Sequence, residues 1–256
     1  MTIPSRRMTA VLALLDGDDR GSERGSGLFP AAAAIQAATA LGVDGIAAGV
    51  GTGPQGVVLA WGREAVGIAL EDLQFTLGQG PGPQAIETGA PVLVADLREQ
   101  AARWPVFAPG AIDLTVHAVF AFPLRIGAIS IGVLTAYRAV PGPLTSGQLV
   151  DALALADAIT VLLLDRADGE GTERTESTEI GVSVPQRVRP RPDSARPATY
   201  RAEVHQAVGM ISVQLDVGLS EALVRLRAYA YGNERLIAEV AADVVARRLR
   251  FEDPDE

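Results

Sequence analysis

The spacing of apolar residues between positions 28 and 77 changes from helical to strand-like and back. The Ala-rich stretch Leu28–Leu41 ends at Gly42, a combination typical of a helix and its C-terminal stop. Two short apolar runs, Val43–Val50 and Val57–Trp61, flank a Gly-Thr-Gly-Pro sequence and predict a β-hairpin. A second helix is predicted over Ile68–Leu77.

The pattern from residue 78 to residue 165 predicts a second hairpin and a long closing helix. Strand-like runs at Val116–Ile126 and Ile129–Tyr137 are separated only by Gly127 and Ala128. The remaining predicted elements are a loop at 78–83, a short helix at Gln84–Thr88, a strand at Pro91–Ala95, a loop at 96–110 and a helix at Gly147–Asp165 capped by Ser146. This order indicates the α+β class, with a mainly antiparallel sheet flanked by helices.

Three amphipathic stretches follow near the C-terminus. The first stretch, Tyr200–Leu215, carries one apolar stripe and is broken by Gly218. The second stretch ends at Gly232. Ser220 and Asn233 are the predicted caps of the second and third helices. Helices this short must bury their stripes against one another, so a separate small three-helix bundle is predicted.

Changes in composition mark the boundaries between these parts. Residues 1–27 are predicted to be a flexible N-terminus and residues 28–165 the first domain. The stretch 166–198 is a predicted linker, because it is acidic at first and then rich in proline and arginine. Residues 199–251 form the helical module, and residues 252–256 form an acidic tail.

Composition excludes several kinds of chemistry. The chain has no cysteine, which removes disulfides, thiolate metal sites and cysteine nucleophiles. It has only two histidines, so no metal site is predicted. No set of catalytic residues is recognisable, the protein is not expected to be an enzyme, and the sequence leaves any cofactor unknown. A net charge of −9 argues against broad wrapping of nucleic acid but leaves room for a local basic patch.

The hydropathy pattern gives an expectation of where in the cell the protein is located. No apolar run approaches the ~20 residues of a membrane span. The run Ala10–Leu15 is shorter than the core of a signal peptide and is followed by acidic residues. A cytoplasmic protein without membrane contact is therefore expected.

Four motifs in the first domain occur in the order found in one known family. They are Gln-x-x-x-Gly-x-Gly-Pro at 74–81, Ala-x-x-Thr-Gly-x-Pro-Val at 85–92, Asp-Leu with Arg-Trp-Pro-x-Phe within 96–107, and Pro-Leu-Arg at 123–125. The stretch from Leu28 to Asp165 thus resembles a GAF domain of the actinobacterial type. The resemblance implies a six-stranded antiparallel sheet with helices on its back and a cavity for a small-molecule ligand. Relatives often carry cysteine where this chain has Gly82, so a thiol-based role is excluded there.

Aromatic residues are the candidates for lining that cavity. Trp61, Trp104, Phe120 and Phe122 are the predicted pocket residues, and strand alternation places Phe120 and Phe122 on one face. The alternative interpretation, which the residues favour, is ordinary sheet core. The glycines of the 78–82 loop fit a tight loop better than a phosphate cradle, because Pro81 and Pro83 remove backbone donors.

The helical module resembles an ANTAR domain. The matching residues are Gln206, Ala207, Gly209 and Met210, then Glu221, Ala222, Leu223, Leu226, Arg227 and Ala230, then Leu236, Ala241, Val244 and Val245. The resemblance implies a homodimer that binds paired RNA hairpins in nascent transcripts and suppresses termination. Carried onto this chain, the predicted RNA-binding residues are Arg201, Gln206, Gly209, Arg225 and Arg227.

Two features leave an alternative open. Many relatives have lysine where this chain has Val208, and the module together with the acidic tail, residues 200–256, carries seven arginines against ten acidic residues. Gly209 lies inside a helix, where either close helix packing or close approach of RNA would explain it. The sequence therefore indicates a signal-responsive transcription antitermination regulator. The alternative is a dimeric sensor or scaffold whose tail binds another regulatory protein.

Overall fold

The computed structural model describes residues 4–17, 31–50, 58–61, 65–172, 196–233, 235 and 237–252. The helices are α1 (Arg6–Gly17), α2 (Ala31–Leu41), α3 (Ala65–Leu77), α4 (Pro81–Thr88), α5 (Phe107–Asp113), α6 (Ser146–Thr172), α7 (Arg196–Leu215), α8 (Leu219–Gly232) and α9 (Ile237–Val245). The strands are β1 (Gly45–Val50), β2 (Val58–Trp61), β3 (Val92–Val94), β4 (Ala118–Ile126) and β5 (Ile129–Arg138). The predicted α+β class is confirmed.

The strands form one antiparallel sheet in the order β2-β1-β5-β4-β3. Both predicted hairpins are present, and Gly127 makes the tight β4–β5 turn with a φ of 60°. The family resemblance implied six strands, whereas the described residues contain five. Strand β5 lies in the centre because it pairs with β1 on one side and with β4 on the other.

The sheet separates two apolar cores. One face packs against α1, α2 and α6, and it includes Phe120, Phe122, Leu134 and Ile159. The opposite face packs against α3, α4 and α5, with Val119 and Phe107 among its residues. Neighbouring residues of β4 enter different cores because successive side chains of a strand point to opposite faces.

The N-terminal stretch corrects one prediction. Residues 1–27 were expected to be flexible, but Arg6–Gly17 forms α1 and buries Met8, Val11 and Leu15 in the first core. Their spacing places them on one helix face, so a single stripe is enough to dock the helix. Ser5 begins the helix, since its hydroxyl accepts from the Met8 N–H at 3.2 Å. The stretch 18–27 lies outside the described residues.

Asp151 fastens α1 to α6, and its replacement by alanine tests that attachment. The buried carboxylate accepts from the Ser5 backbone N–H at 2.7 Å and from the Ser5 hydroxyl at 2.6 Å. We expect Asp151→Ala to lower the free energy of unfolding by about 1–3 kcal/mol, because two donors lose their acceptor. Urea unfolding measures this, with hydrogen exchange of α1 as the local readout. Asp157→Ala, at an exposed position of the same helix, is the matched control. Equal losses in both variants would contradict the attachment.

Helix α6 starts one residue earlier and ends later than predicted. Thr145, rather than Ser146, is its cap: the Thr145 hydroxyl accepts from the Gln148 N–H at 3.3 Å, and the Thr145 N–H donates to Gln148 Oε1 at 2.9 Å. This reciprocal pair is a capping box. The helix runs to Thr172, inside the stretch predicted as linker, of which residues 173–195 lie outside the described part.

Helix α6 differs from the prediction that no apolar run approaches the length of a membrane span. Its segment Ser146–Asp165 is long and apolar enough to cross a membrane by length and composition alone. One face of it, with Ala152, Leu155 and Ile159, packs into the core under the sheet, as a core helix of a globular domain does. The 3–4 spacing of Leu149, Leu153 and Ala156 predicts one buried stripe, and this prediction is partly wrong because Leu153 is 40% exposed.

Two short helices differ from the prediction: α4 starts three residues before the predicted helix Gln84–Thr88, and α5 begins inside the loop predicted at 96–110. Helix α4 begins at Pro81, because a proline in the first turn lacks only an N–H that has no helical acceptor anyway. The loop predicted at 96–110 contains a 3-10 turn at Leu97–Gln100 and the start of α5. The 3-10 turn and α5 are short, and segments of this length carry too little periodicity to be recognised from the sequence.

The last three helices form the predicted bundle. Val204, Val208 and Ile211 of α7 are buried as the stripe predicted. In α8 the spacing predicts that Leu219 is buried with Leu223 and Leu226, but Leu219 is exposed and Ala222 is buried instead. Two caps were wrong: Gly218, not Ser220, precedes α8, and Asn233 closes α8, where its side-chain amide donates to the Tyr229 carbonyl at 2.8 Å.

Candidate functional site

The predicted pocket residues do not come together. Phe120 and Phe122 are fully buried on the sheet face that packs against α1, α2 and α6. Trp104 lies in the opposite core, edge-on to Phe107 with 6.0 Å between ring centroids. The side chain of Trp61 lies outside the described part. The geometry of the two phenylalanines fits the sheet-core interpretation.

The sheet face under α3 and α4 carries a buried hydroxyl. Thr135 is fully buried between Val133 and Tyr137, and its Oγ1 has no hydrogen-bond partner among the described residues. A buried polar atom left unpaired costs about 1–3 kcal/mol. This face, rather than the one lined by Phe120 and Phe122, therefore offers a polar group to a small molecule.

The glycine-rich loop at 78–82 is filled by Gln74. Its Oε1 accepts from the Gly82 N–H at 2.7 Å, and its Nε2 donates to Glu71 at 2.9 Å. A Cβ at Gly80 would lie 2.8 Å from that Oε1, and Gly80 has a φ of 123°. Because a protein side chain already occupies the loop, the geometry fits the tight-loop interpretation rather than a phosphate cradle.

An ion pair orders the segment after β3. Asp96 accepts from the Arg98 backbone N–H at 3.0 Å and from its guanidinium at 2.6 Å. These bonds hold the pKa of the Asp96 carboxyl below its ordinary value, since they stabilise the charged form. The guanidinium of Arg103 lies 4.6 Å from the centre of the Trp104 ring. Both pairs are local and order the segment rather than line a cavity.

Two predicted RNA-binding residues lie at the surface of α7. Gln206 is exposed, and a Cβ built at Gly209 meets no atom within 4 Å. Close helix packing was one explanation of Gly209, and this open space removes it. The side chain of Arg201 lies outside the described part. Residues 206 and 209 are neighbours on one helix face, so this face is accessible to a partner.

Val208 has a structural explanation. It is buried in the core of the bundle with Val204 and Ile211. A lysine in the same orientation would place a charge in an apolar core, which is unfavourable. The missing lysine therefore reflects how this helix packs.

The two predicted arginines of α8 have different environments. Arg225 lies at the surface and pairs with Glu221 at 3.1 Å, one turn away. Arg227 points to the first domain: its Nε and Nη2 donate to the Phe75 carbonyl oxygen at 3.0 and 2.7 Å. The structure thus separates two residues that the sequence treated as equivalent.

Arg235 and Arg248, which lie on either side of α9, form ion pairs within the bundle. Asp243 accepts from Arg235 at 2.6 Å and from Arg248 at 2.8 Å. The hydrogen bond from Arg235, and after it that from Arg248, holds the pKa of Asp243 below its ordinary value. Tyr229 packs on Phe251, with 5.3 Å between the ring centroids, whereas Tyr231 is exposed.

Phe75 is the site residue that sequence reasoning missed. It belongs to α3, yet its side chain lies in the apolar cluster of the C-terminal bundle. Its ring is tilted against His205 of α7, with centroids 6.5 Å apart. A phenylalanine on an amphipathic helix gives no sign that its partner lies in another part of the chain.

Comparison with known proteins finds similarity among solved structures. No protein-family model and no curated protein matches the sequence. Among solved structures, the chain is similar to the GAF domain of a phosphoenolpyruvate-protein phosphotransferase from Coxiella burnetii, at 17% identity and a TM-score of 0.47. That alignment covers 65% of this chain and 99% of the other.

Two further structures show the same similarity. The GAF domain of an Acinetobacter phosphoenolpyruvate-protein phosphotransferase aligns at 10% identity and a TM-score of 0.46, over 64% of this chain and 96% of the other. The free methionine-R-sulfoxide reductase of Neisseria meningitidis aligns at 18% identity and a TM-score of 0.43, over 66% and 97%.

Proposed function

We propose that this protein is a signal-responsive transcription antitermination regulator. The GAF-like domain senses a small molecule or a partner, and the three-helix module binds paired RNA hairpins as a homodimer. The observation that carries this proposal is Gly209, which interrupts the surface of α7 with a residue that packing does not require. A glycine there lets an RNA backbone or loop base approach the helix closely.

Other surface features support the same assignment. Gln206 lies beside Gly209 on the exposed face of α7, and Arg225 is exposed on α8. Amide and guanidinium groups are suited to base edges and phosphates respectively. The buried Thr135 hydroxyl supports a small-molecule site between the sheet and α3 and α4. The two parts of the chain thereby carry separate sensing and binding tasks.

The direct test uses RNAs with two consecutive hairpins, transcribed from leader regions of the native host. The full-length protein is expected to bind a subset of them, with an affinity that falls as salt increases because phosphate contacts release counterions. Arg225→Ala is expected to weaken binding and to lower the salt slope. Failure to bind any tandem-hairpin RNA at low salt, with the dimer present, would eliminate the proposal.

Gly209→Ala separates stability from RNA binding. Alanine fits the open space, so we expect the module to become about 0.5–1 kcal/mol more stable, as helix propensity dictates. The added methyl group should nevertheless weaken RNA binding. Urea unfolding and RNA titration measure the two effects. Gly147→Ala of α6, which also has open space, is the matched control for which RNA affinity should not change.

The alternative is a dimeric sensor or scaffold whose module binds another regulatory protein. Its support is the exposed apolar surface of the bundle, where Val213 is 84% exposed and Val224 and Tyr231 are also exposed. Arg225→Ala discriminates between the two functions. Weakened RNA binding supports the regulator, whereas unchanged RNA behaviour with loss of a protein partner in Val224→Asp supports the scaffold. Arg227 is unsuited to this test, because it also contacts the first domain.

A further inference from the structure

Arg227 closes the C-terminal end of α3. The Phe75 carbonyl lies in the last turn of α3, where carbonyl groups have no helical donor of their own. The Nε and Nη2 groups of Arg227 supply two donors at 3.0 and 2.7 Å, and the guanidinium carbon lies 5.5 Å from the centre of the Phe75 ring. The cation also faces the negative end of the helix dipole. Hydrogen bonds, charge and ring stacking therefore converge on one side chain.

The side chain of Phe75 also joins α3 to the C-terminal bundle. Its side chain is buried, but it belongs to the cluster formed by α7, α8 and α9 and to neither core of the first domain. Removing this ring would weaken the attachment of the module to α3 without creating a cavity in either core of the first domain. The contact is thus an anchor between the two parts.

Gly78 leaves the space for Arg227. A Cβ at position 78 would lie 2.7 Å from Nη1 of Arg227, and Gly78 has a φ of 61°. A side chain here would push the guanidinium away from α3. Gly78 therefore leaves space for the Arg227 guanidinium and also forms the turn that ends α3.

The contact between Arg227 and Phe75 is connected to the loop at 78–82 through Gln74. Gln74, the residue before Phe75, accepts from the Gly82 N–H and thereby ties the end of α3 to the start of α4. A rearrangement of the loop at 78–82 would shift the last turn of α3 and with it the Phe75 carbonyl. The adjacent residues Gln74 and Phe75 therefore connect the loop at 78–82 to Arg227.

From these contacts we infer that Arg227 and Phe75 form an autoinhibitory latch. The inference rests on the proposed RNA-binding function. While the guanidinium donates to Phe75, it is withheld from RNA phosphate, and the module is held on α3. A signal that moves the end of α3 releases the module together with Arg227. The GAF-like domain thus controls RNA binding by holding one of the residues that would contact RNA.

Phe75→Ala in the full-length protein tests the latch, because it leaves Arg227 intact. We expect the module to separate from α3 and RNA affinity to rise about tenfold without any signal, within the roughly 5- to 150-fold typical of coupled sites. Arg227→Lys is the second variant. Lysine keeps a charge for phosphate but lacks the guanidinium fork and its stacking, so it should also release the latch. Leu93→Ala, an exposed position of the same domain, is the control.

Separation is measured independently of RNA. The chain has no native cysteine, so spin labels can be attached at Ile35→Cys on α2 and Val213→Cys on α7. Dilution with unlabelled protein ensures that distances within one chain are recorded. In the parent protein the distance distribution should be narrow, and Phe75→Ala and Arg227→Lys should broaden and lengthen it. RNA affinity is then measured on the same samples with a tandem-hairpin leader RNA.

The outcomes distinguish the two proposals. An unchanged distance distribution in both variants overturns the latch, as does a lengthened distance with unchanged RNA affinity. Absence of RNA binding in the parent and in both variants overturns the proposed function. The spin-label distance then decides by itself whether Arg227 and Phe75 hold the module on α3.

Discussion

Phe122→Ala is expected to remove about 3–5 kcal/mol from the free energy of unfolding of the first domain. Phe122 is fully buried beside Phe120 and is paired across the sheet with Leu134 of β5. Its ring packs in the core that α1, α2 and α6 close. Loss of a buried aromatic ring removes its transfer free energy and leaves a cavity, which is the source of a penalty of this size. Urea unfolding of the full-length chain, monitored on the first domain, measures the effect.

The same variant tests the pocket prediction. If Phe122 lined a ligand cavity, truncation would enlarge the cavity and change ligand binding with a modest loss of stability. Burial under the helix layer predicts the opposite: a large loss of stability. Leu93→Ala, which is 47% exposed on β3, should stay within about 0.5 kcal/mol and is the control. A loss below about 1 kcal/mol for Phe122→Ala would contradict the core assignment.

Gly132→Ala is expected to separate β1 from β5. A Cβ at position 132 would overlap with the carbonyl oxygen of Gly49 and would lie 3.2 Å from the Cα of Val50. Both obstacles are backbone atoms of the paired strand, so a side-chain rotation cannot relieve the overlap. Overpacking usually costs about 1–3 kcal/mol, and we expect this variant to exceed that range because the strand pairing itself must shift.

The sheet centre depends on this glycine. Strand β5 connects the β1–β2 hairpin to the rest of the sheet, so a displaced β1 exposes both apolar cores. Urea unfolding gives the loss of stability, and hydrogen exchange of β1 amides locates it. Gly147→Ala of α6 meets no neighbouring atom and is the matched control. Retained protection of β1 in Gly132→Ala would show that the strands do not pack as described.

Much of the fold follows from local spacing. The apolar stripe of α7 and the two runs that form the β4–β5 hairpin were predictable, because neighbours in sequence decide helix and strand periodicity. The sheet order follows less directly, since β1 pairs with β5 across nearly ninety residues and no local signal states this. Helix α1 was missed because its apolar run, Ala10–Leu15, is only six residues long and is followed by acidic residues.

The candidate site was predictable only in part. The prediction of Gln206, Gly209 and Arg225 as RNA-binding residues came from the family resemblance of the module, and all three lie at its surface. The spacing of Arg227 gave no indication that its guanidinium would turn toward α3. The predicted pocket residues are divided for a related reason: alternation puts Phe120 and Phe122 on one face of the sheet but does not indicate that Trp104 packs on the other.

Local periodicity is enough to predict the α+β class, the two hairpins and the three helices that must bury their stripes together, because it depends only on neighbours along the chain. The roles of Gly132 and Arg227 depend instead on tertiary contacts. Gly132 meets Gly49 of another strand, and Arg227 meets a carbonyl group 152 residues earlier in the chain. These contacts depend on how distant elements come together, and the chemistry of a single residue carries no record of its distant partner.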